Sequence, residues 1–359
     1  MAHPRARYVI FVAACVAAMC SLYSCSSNNN SPTNSTTPTG YDITDLVADT
    51  AGYPGVHLDA NLANAWGIAI DNAGVIWVCS NHGSVVAAYD ANGIAQIAPI
   101  IVPARDSIAG GAPAGAVENT TSDFSIPVYG VSSQIFSSED GIITARNNSV
   151  QGKAIVVAKS ASPNAVYKGI AIGASGGANY IYATDFKEGK IDVYNASFAP
   201  VQGMSFTDPY IPAGYGPFGI NNINGKLYVT YAKLKPPDNQ DDQAGPGYGY
   251  VDIYNTDGSL VKRFASQGTL NSPWAVVLAP AGFGDFKNSI LVGNFGDGTI
   301  TAFDTSGNVL GQLKKADSSL FAIDGLWGLT FSPVTANTLY FTAGPAGETY
   351  GLFGYIKPH

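Results

Sequence analysis

From Tyr41 onward the chain is a series of short apolar runs in which hydrophobic and small or polar residues alternate. A period of two places successive side chains on opposite faces of a strand. Between the runs stand Asp-Gly, Glu-Gly and Asn-Gly pairs, which supply the positive φ that tight turns need. Leu-rich periodicity of the helical kind is absent. The pattern predicts an all-β protein.

The runs also repeat. An aromatic residue, usually followed by Gly, opens an apolar strand at AWGIAI (65–70), VYGVSS (128–133), YKGIAI (167–172), PFGINN (217–222), PWAVVL (273–278) and LWGLTF (326–331). The aromatics are Trp66, Tyr129, Tyr167, Phe218, Trp274 and Trp327. One extra residue separates Tyr167 from Gly169, and Ala275 replaces Gly in the fifth copy. A second run follows each copy and usually a third, as in VIWVCSNHGSVVAAYD (75–90) and ILVGNFGDGTITAFD (290–304). Six copies of roughly 50 residues predict a six-bladed β-propeller, in which stacked blades bury the faces that a lone sheet leaves exposed. A pair of β-sandwiches does not account for six copies of one pattern. The segment Tyr41–Ala48 precedes the first copy and is spare. It is expected to complete the last blade and close the ring.

The first 24 residues read as a leader rather than fold. Arg5 and Arg7 precede the apolar stretch YVIFVAACVAAM, which is the layout of an export signal. Leu22-Tyr23-Ser24-Cys25 has the form of a bacterial lipobox, so Cys25 is the expected site of lipidation, with Cys20 a weaker competitor. Ser26 follows Cys25 where Asp would favour the inner membrane, which points to the outer membrane of a Gram-negative bacterium. Residues 26–40 hold no apolar anchor and read as a flexible tether. The expected organisation is a signal over 1–24, a lipidated Cys and tether over 25–40, and a propeller over 41–357. After cleavage only Cys79 remains as a free thiol, in the apolar run IWVC, where a buried inert side chain is expected.

Charged residues make up only 12% of the chain, and Gly (41) and Tyr (20) are plentiful, which suits turns and pleated faces. The 18 Lys and Arg, less Arg5 and Arg7 of the leader, stand against 26 Asp and Glu and leave a net charge of −10. No basic stripe is present, which argues against nucleic acid as a partner. Attachment to a membrane would rest on the acyl chains of the lipid anchor.

PWAVVLAPAGFG, ILVGNFGDGTITAFD, IDGLWGL and TLYFTAGP resemble a family of exported bacterial propellers related to NHL-repeat proteins, some of which end in a PEP-type sorting signal. The resemblance spans about 41–357 and is most specific in its C-terminal third. It implies the fold and export, and it implies no reaction. This chain ends in Tyr-Ile-Lys-Pro-His, so the lipobox is expected to do the anchoring.

Candidate chemistry lies between the second and third strands of the copies. Aligned on the following strand, the segments open with Asn81, Asp185 and Asn294, and Glu139-Asp140-Gly141 is a shortened version. Gly141, Gly189 and Gly298 read as hairpin glycines. The opening residues would gather on one rim, as the oxygen ligands of calcium-dependent lactonase propellers do. Asn81, Asp185, Asn294 and Glu139 are therefore candidate Ca²⁺ ligands, weighed against plain turn-initiating hydrogen bonds. His82, beside Asn81, is a candidate general base, weighed against an exposed turn residue. The segment 233–249 gathers Asp238, Asp241 and Asp242 in a long connection that reads as a flap or a solvated extension. The segment 104–126 reads as an insertion. The copy-opening aromatics read as blade packing or as a ring for stacking on sugar faces. No HExxH, GxSxG, Walker or CxxC motif occurs. The leading expectation is a lipid-anchored, non-catalytic binding or scaffold domain for a protein, glycan or small-molecule ligand. The alternative is a calcium-dependent lactonase- or lyase-like enzyme at the channel mouth.

Overall fold

A computed structural model describes residues 40–53 and 56–359. The leader, Cys25 and most of the tether lie outside the described residues. Five four-stranded antiparallel sheets and one five-stranded sheet form six blades around an axis. Blade 1 comprises Ala65–Ile70, Ile76–Ser80, Val85–Tyr89 and Ile100–Ile101, from the axis outward. Blade 2 comprises Pro113–Glu118, Gln134–Ser138, Ile142–Arg146 and Ile155–Lys159. Blade 3 comprises Tyr167–Ser175, Ala178–Asp185, Lys190–Asn195 and Pro200–Val201. Blade 4 comprises Tyr215–Ile223, Lys226–Lys233, Gly249–Asn255 and Leu260–Ser266. Blade 5 comprises Pro273–Leu278, Ile290–Asn294, Ile300–Phe303 and Val309–Gln312. Blade 6 comprises Leu326–Phe331, Leu339–Ala343 and Leu352–Pro358, completed by Tyr41–Ala48 and His57–Leu58.

The ring closes as expected. Tyr41–Ala48 pairs antiparallel with Leu352–Pro358, from Tyr41 opposite Pro358 to Ala48 opposite Leu352. Tyr41 also fastens blade 6 to blade 5. Its hydroxyl donates to the Phe283 carbonyl at 3.2 Å and accepts from the Phe286 amide at 3.1 Å.

The repeated glycine has a steric cause. The innermost strands crowd the axis, and a Cβ on Gly219 would lie 1.9 Å from the Trp274 carbonyl oxygen, while one on Gly67 would lie 2.4 Å from that of Ala114. The second strand answers with a hydroxyl. Thr184 Oγ1 accepts from the Gly169 amide at 2.7 Å and donates to Phe218 O of the next blade at 2.8 Å. Ser137 does the same between Gly115 and Lys168 O, and Thr342 between Gly328 and Trp66 O. In blade 1 the position belongs to Cys79, fully buried and 3.7 Å from Gly115 O, so its thiol is a structural stitch. In blade 5 the two residues trade sizes: Ala275 takes the Gly position, and Gly293, directly opposite it in the sheet, takes the hydroxyl position.

The second copy needs a correction. The inner strand of blade 2 is Pro113–Glu118, inside the segment read as an insertion. The VYGVSS stretch instead forms a small exposed hairpin of Ser125–Ile126 with Gly130–Val131, and Tyr129 is 40% exposed. PAGAVE was missed because Ala114 stands where the other copies carry a large residue. The Gly alignment also moves the third copy: the residue before Gly169 is Lys168, so Lys168 rather than Tyr167 occupies the aromatic position.

Candidate functional site

With that register, the residues before the six Gly or Ala positions are Trp66, Ala114, Lys168, Phe218, Trp274 and Trp327. They line the axis at the end of the channel where the second strands finish, here called the upper mouth. Trp327 is sandwiched between Trp66 and Phe295, each ring centroid 4.0 Å away, and meets Trp274 and Phe218 at 5.7 Å. Four of the six copy-opening aromatics, Trp66, Phe218, Trp274 and Trp327, thus form a central basket, and they are packed: all are 8% exposed or less.

Lys168 is the one cation in this basket, and it is 1% exposed. Its Nζ stands 4.6 Å from the Trp66 centroid and 5.9 Å from that of Phe186, within cation–π range. It donates to Glu139 Oε1 of blade 2 and lies 3.7 Å from Asp241 Oδ1 of blade 4. Burial pushes the ammonium pKa down, but the charge and hydrogen bond of Glu139, with Asp241 and Asp242, outweigh it and leave the pKa raised. Lys168 is therefore charged at neutral pH. Asn81 Nδ2 donates to the other Glu139 oxygen at 2.9 Å.

A second group borders the first. Asn64, fully buried, donates through Nδ2 to Glu348 Oε1 of blade 6 at 3.1 Å and faces His82 Nε2 at 3.3 Å. Burial raises the Glu348 carboxyl pKa, with Asn64 and Lys168 pulling it back and Glu139 and Asp241 adding to the rise. Asp242 is pushed up to about 6, again by burial first, against the pull of Lys168. Four carboxylates thus surround one ammonium, contributed with their amide partners by four blades around the Lys168 blade.

The candidate ligand set divides. Asn81 and Glu139 share an equivalent position just past the second strand, together with Phe186, Ala232, Phe295 and Gly344. Asp185 and Asn294 sit one residue earlier, level with Ser80. A shift of one residue along a strand reverses the direction of the side chain. Asp185 Oδ1 accepts from the Val166 and Glu188 amides at 3.1 and 3.3 Å, and burial raises its pKa to about 6. Asn294 Oδ1 accepts from the Asn271 amide, and its Nδ2 donates to Thr269 O and Thr299 Oγ1. Both side chains thus bind chiefly the segment that leads into their own blade's inner strand, while Asp185 Oδ2 makes no hydrogen bond and lies 3.9 Å from Lys190 Nζ. Among the described residues no group of three or more His, Cys, Asp or Glu is arranged to hold a metal ion. Gly141, Gly189 and Gly298 all have positive φ, as hairpin glycines require. His82 is exposed. Of the loop cluster, Asp241 and Asp242 reach the mouth, while Asp238 is exposed.

Lys168, Asn64 and Glu348 escaped sequence reasoning. Aligning the copies on Gly instead of the aromatic would have exposed Lys168. Nothing in the sequence marks Asn64 and Glu348, which lie 284 residues apart. The opposite half of the channel holds a cavity of about 240 Å³ lined by inner strands of all six blades, with Glu118, Asn221 and Thr330 among its polar residues. Burial lifts the Glu118 carboxyl pKa to about 7, against the hydrogen bond from Gln134.

No model of a known protein family matches the chain. Solved structures with the same fold include virginiamycin B lyase from Staphylococcus aureus, with a TM-score of 0.55 and 11% identity over 88% of this chain and 99% of that one. A gluconolactonase from Xanthomonas campestris gives a TM-score of 0.52 and 15% identity over 82% and 86%. The calcium-binding protein regucalcin from Agrobacterium tumefaciens gives 0.51 and 14% over 83% and 92%. At these identities the likeness is one of fold. Two uncharacterized proteins of Acanthamoeba polyphaga mimivirus are similar in sequence: one is 32% identical over 312 residues, 84% of this chain and 76% of its own length. The other is 33% identical over 310 residues, 84% of this chain and 81% of its own length. The chain belongs to the family of six-bladed propellers that these two viral proteins represent.

Proposed function

We propose that this protein is an exported propeller that binds a small ligand at the upper channel mouth without transforming it. The observation that carries this reading is the convergence of side chains from blades 1, 2, 4 and 6 around Lys168 of blade 3. A structural ring needs no such convergence, since Gly and Thr already join the blades. Lys168 and Asn81 are paired to Glu139, and Asn64 Nδ2 to Glu348, as a preorganised set, and His82 meets Asn64 rather than a nucleophile. A thermal-shift screen of the purified domain against a metabolite library tests the reading. A ligand that raises the melting temperature of the native chain, and fails to do so in Glu348→Gln, is the expected result. Stabilisation that is indifferent to Glu348 would count against the mouth.

A calcium-dependent lactonase- or lyase-like enzyme is the second reading. It is favoured by the surplus of carboxylates over Lys168 and by the names of the fold neighbours, which include a gluconolactonase, a lyase and a calcium-binding protein. As arranged, the residues do not fit the ion: Glu139 is committed to Lys168, the Asn294 oxygen to the Asn271 amide, and Asp185 sits one residue out of register with Asn81 and Glu139. Only Asn81 and Glu139 of the candidate set remain at the mouth. A melting temperature that falls on chelation and recovers with Ca²⁺ would favour this reading over the first.

The leader and the Leu22–Cys25 lipobox support export and lipid anchoring in a bacterial envelope, as does the resemblance to exported bacterial propellers. The relatives found here are viral, so this part rests on the leader and that resemblance. Accumulation of unprocessed chain with globomycin, matched by Cys25→Ala, is the expected result; normal processing under both would remove the anchor.

A further inference from the structure

The mouth holds buried polar atoms of both kinds without partners. The indole N–H groups of Trp66, Trp274 and Trp327 donate to nothing, and Asn64 Oδ1 accepts from nothing. All four residues are more than nine-tenths buried. Asn64 Oδ1 lies against Gly344, where a Cβ would come within 2.1 Å of it. Gly344 is the blade 6 counterpart of Asn81 and Glu139, so the acceptor faces a place where other blades put a side chain. Buried groups of this sort are rare, and each unmade hydrogen bond is costly. Four in one basket mark a place where a partner belongs.

The signs of these atoms restrict that partner. An organic cation would satisfy Asn64 and leave three donors orphaned. A carboxylate would satisfy the indoles and add a fifth negative group to four carboxylates. A hydroxyl both donates and accepts. A ring bearing several hydroxyls also offers flat C–H faces to aromatic side chains, which a peptide amide does not.

The basket is covered by the segment 234–248, between the second and third strands of blade 4. Its Leu234 packs on the central core, and its Gly245 amide donates to Asn271 Oδ1 at 2.7 Å. Asp241 crosses to Lys168 of blade 3, and Asp242 lies within electrostatic reach of Glu348 of blade 6. The counterpart connections in blades 1, 2, 3 and 5 are short turns. The Asp241 carboxylate is 65% exposed, and an ion pair of that kind contributes little. The cover's contact with blade 3 is thus light, while its two arms are paired to each other through Lys235 N to Asp241 O and Gln243 N to Lys233 O.

Resting on the mouth-binding reading above, we propose that the upper mouth binds a neutral sugar unit, admitted when the segment 234–248 lifts from Lys168. The basket contains three of the four tryptophans in the chain, so their emission reports directly on the site. The test titrates that emission with cellobiose and N,N′-diacetylchitobiose, and in parallel with choline, acetate and N-acetylglycinamide. A saturable change with at least one disaccharide, and none with the other three probes, is expected. Trp274→Phe keeps the ring and removes one donor, and should weaken binding about tenfold. Asp241→Asn should raise acrylamide quenching of the tryptophans and tighten binding severalfold. Response to choline, acetate or N-acetylglycinamide in place of the disaccharides overturns the sugar assignment and leaves mouth binding standing. Silence from both disaccharides in the native and Asp241→Asn chains overturns it as well. Binding of any probe that is unchanged in both Trp274→Phe and Glu348→Gln would overturn the mouth itself, and the sugar assignment with it.

Discussion

Replacing Lys168 by Met tests the centre of this account. Methionine is unbranched, one heavy atom shorter than lysine, and packs well against aromatic rings, so the change removes the charge while leaving the basket largely filled. Glu139 then loses its hydrogen-bonded cation while Asp241, Asp242 and Glu348 remain nearby. Removing one partner of a fully buried pair costs about 3–5 kcal/mol. Glu139 keeps 23% of its side chain exposed, so water recovers part of this, and about 2–3 kcal/mol is expected. For a domain of this size that lowers the melting temperature by about 3–5 °C. Glu139→Gln in the Lys168→Met background should restore much of the loss, because the orphaned charge is gone. A double-mutant cycle read by urea unfolding measures the coupling. The folded pKa of Lys168 is raised, so the contribution is present below the unfolded value near 10.4 and is lost as pH rises through the folded value. The gap between native and Lys168→Met chains should therefore narrow in strongly alkaline buffer. Equal stability of the two chains at pH 7, or strict additivity in the cycle, would refute the reasoning.

Gly219→Ala places a methyl group 1.9 Å from the Trp274 carbonyl oxygen, so the ring must expand; a loss of about 3 kcal/mol or failure to fold is expected, read from soluble yield and urea unfolding. Tyr41→Phe removes both hydrogen bonds that tie the closing strand to blade 5 and should cost about 1–2 kcal/mol by the same unfolding assay. The folded chain holds Glu118 up to about 7 and Asp185 and Asp242 up to about 6, against unfolded values near 4. Between those values the fold binds more protons than the unfolded chain, so stability rises as pH falls. The melting temperature should therefore increase from pH 7.5 to pH 5, and a fall across that range would contradict the burial of these carboxyls.

The architecture was legible because the same physics acts six times. Crowding at the axis requires a Gly or its Ala275–Gly293 exchange in every blade, and that requirement is written locally in the chain. The site was legible only in part. Asn81, Glu139, His82, Asp241 and Asp242 were visible as polar residues in turn segments, and all five come to the mouth. Asp185 and Asn294 looked equivalent to Asn81, yet a register of one residue turned them toward Val166 and toward Thr269 and Asn271, in the segments before their inner strands. Register is fixed by pairing across the sheet, as Asn294 opposite Pro273 and Ser80 opposite Ala65 show, and a turn sequence alone does not carry it.

That contrast suggests where function resides in a repeated ring. Positions that repeat are explained by the ring: Gly219 and Thr230 do the same work as Gly169 and Thr184. Positions that are equivalent in space but differ in chemistry are not explained that way. At the inner position five blades carry Trp, Phe or Ala, and blade 3 carries a buried Lys. At the next position outward three blades carry Phe or Ala, while blade 2 carries the Glu that meets that Lys and blade 1 the Asn that donates to that Glu. Desolvating Lys168 and Glu139 brings the ring no closure that a hydrophobic pair would not bring at lower cost. The expense is intelligible if the asymmetry itself is used, with the Lys168–Glu139–Asn81 chain of blades 1 to 3 orienting what the stacked aromatics of blades 1, 4, 5 and 6 hold. NFGDG in blade 5 illustrates the division within a single turn: Asp297 and Gly298 make the hairpin, Asn294 braces it, and Phe295 alone reaches the axis, stacked on Trp327.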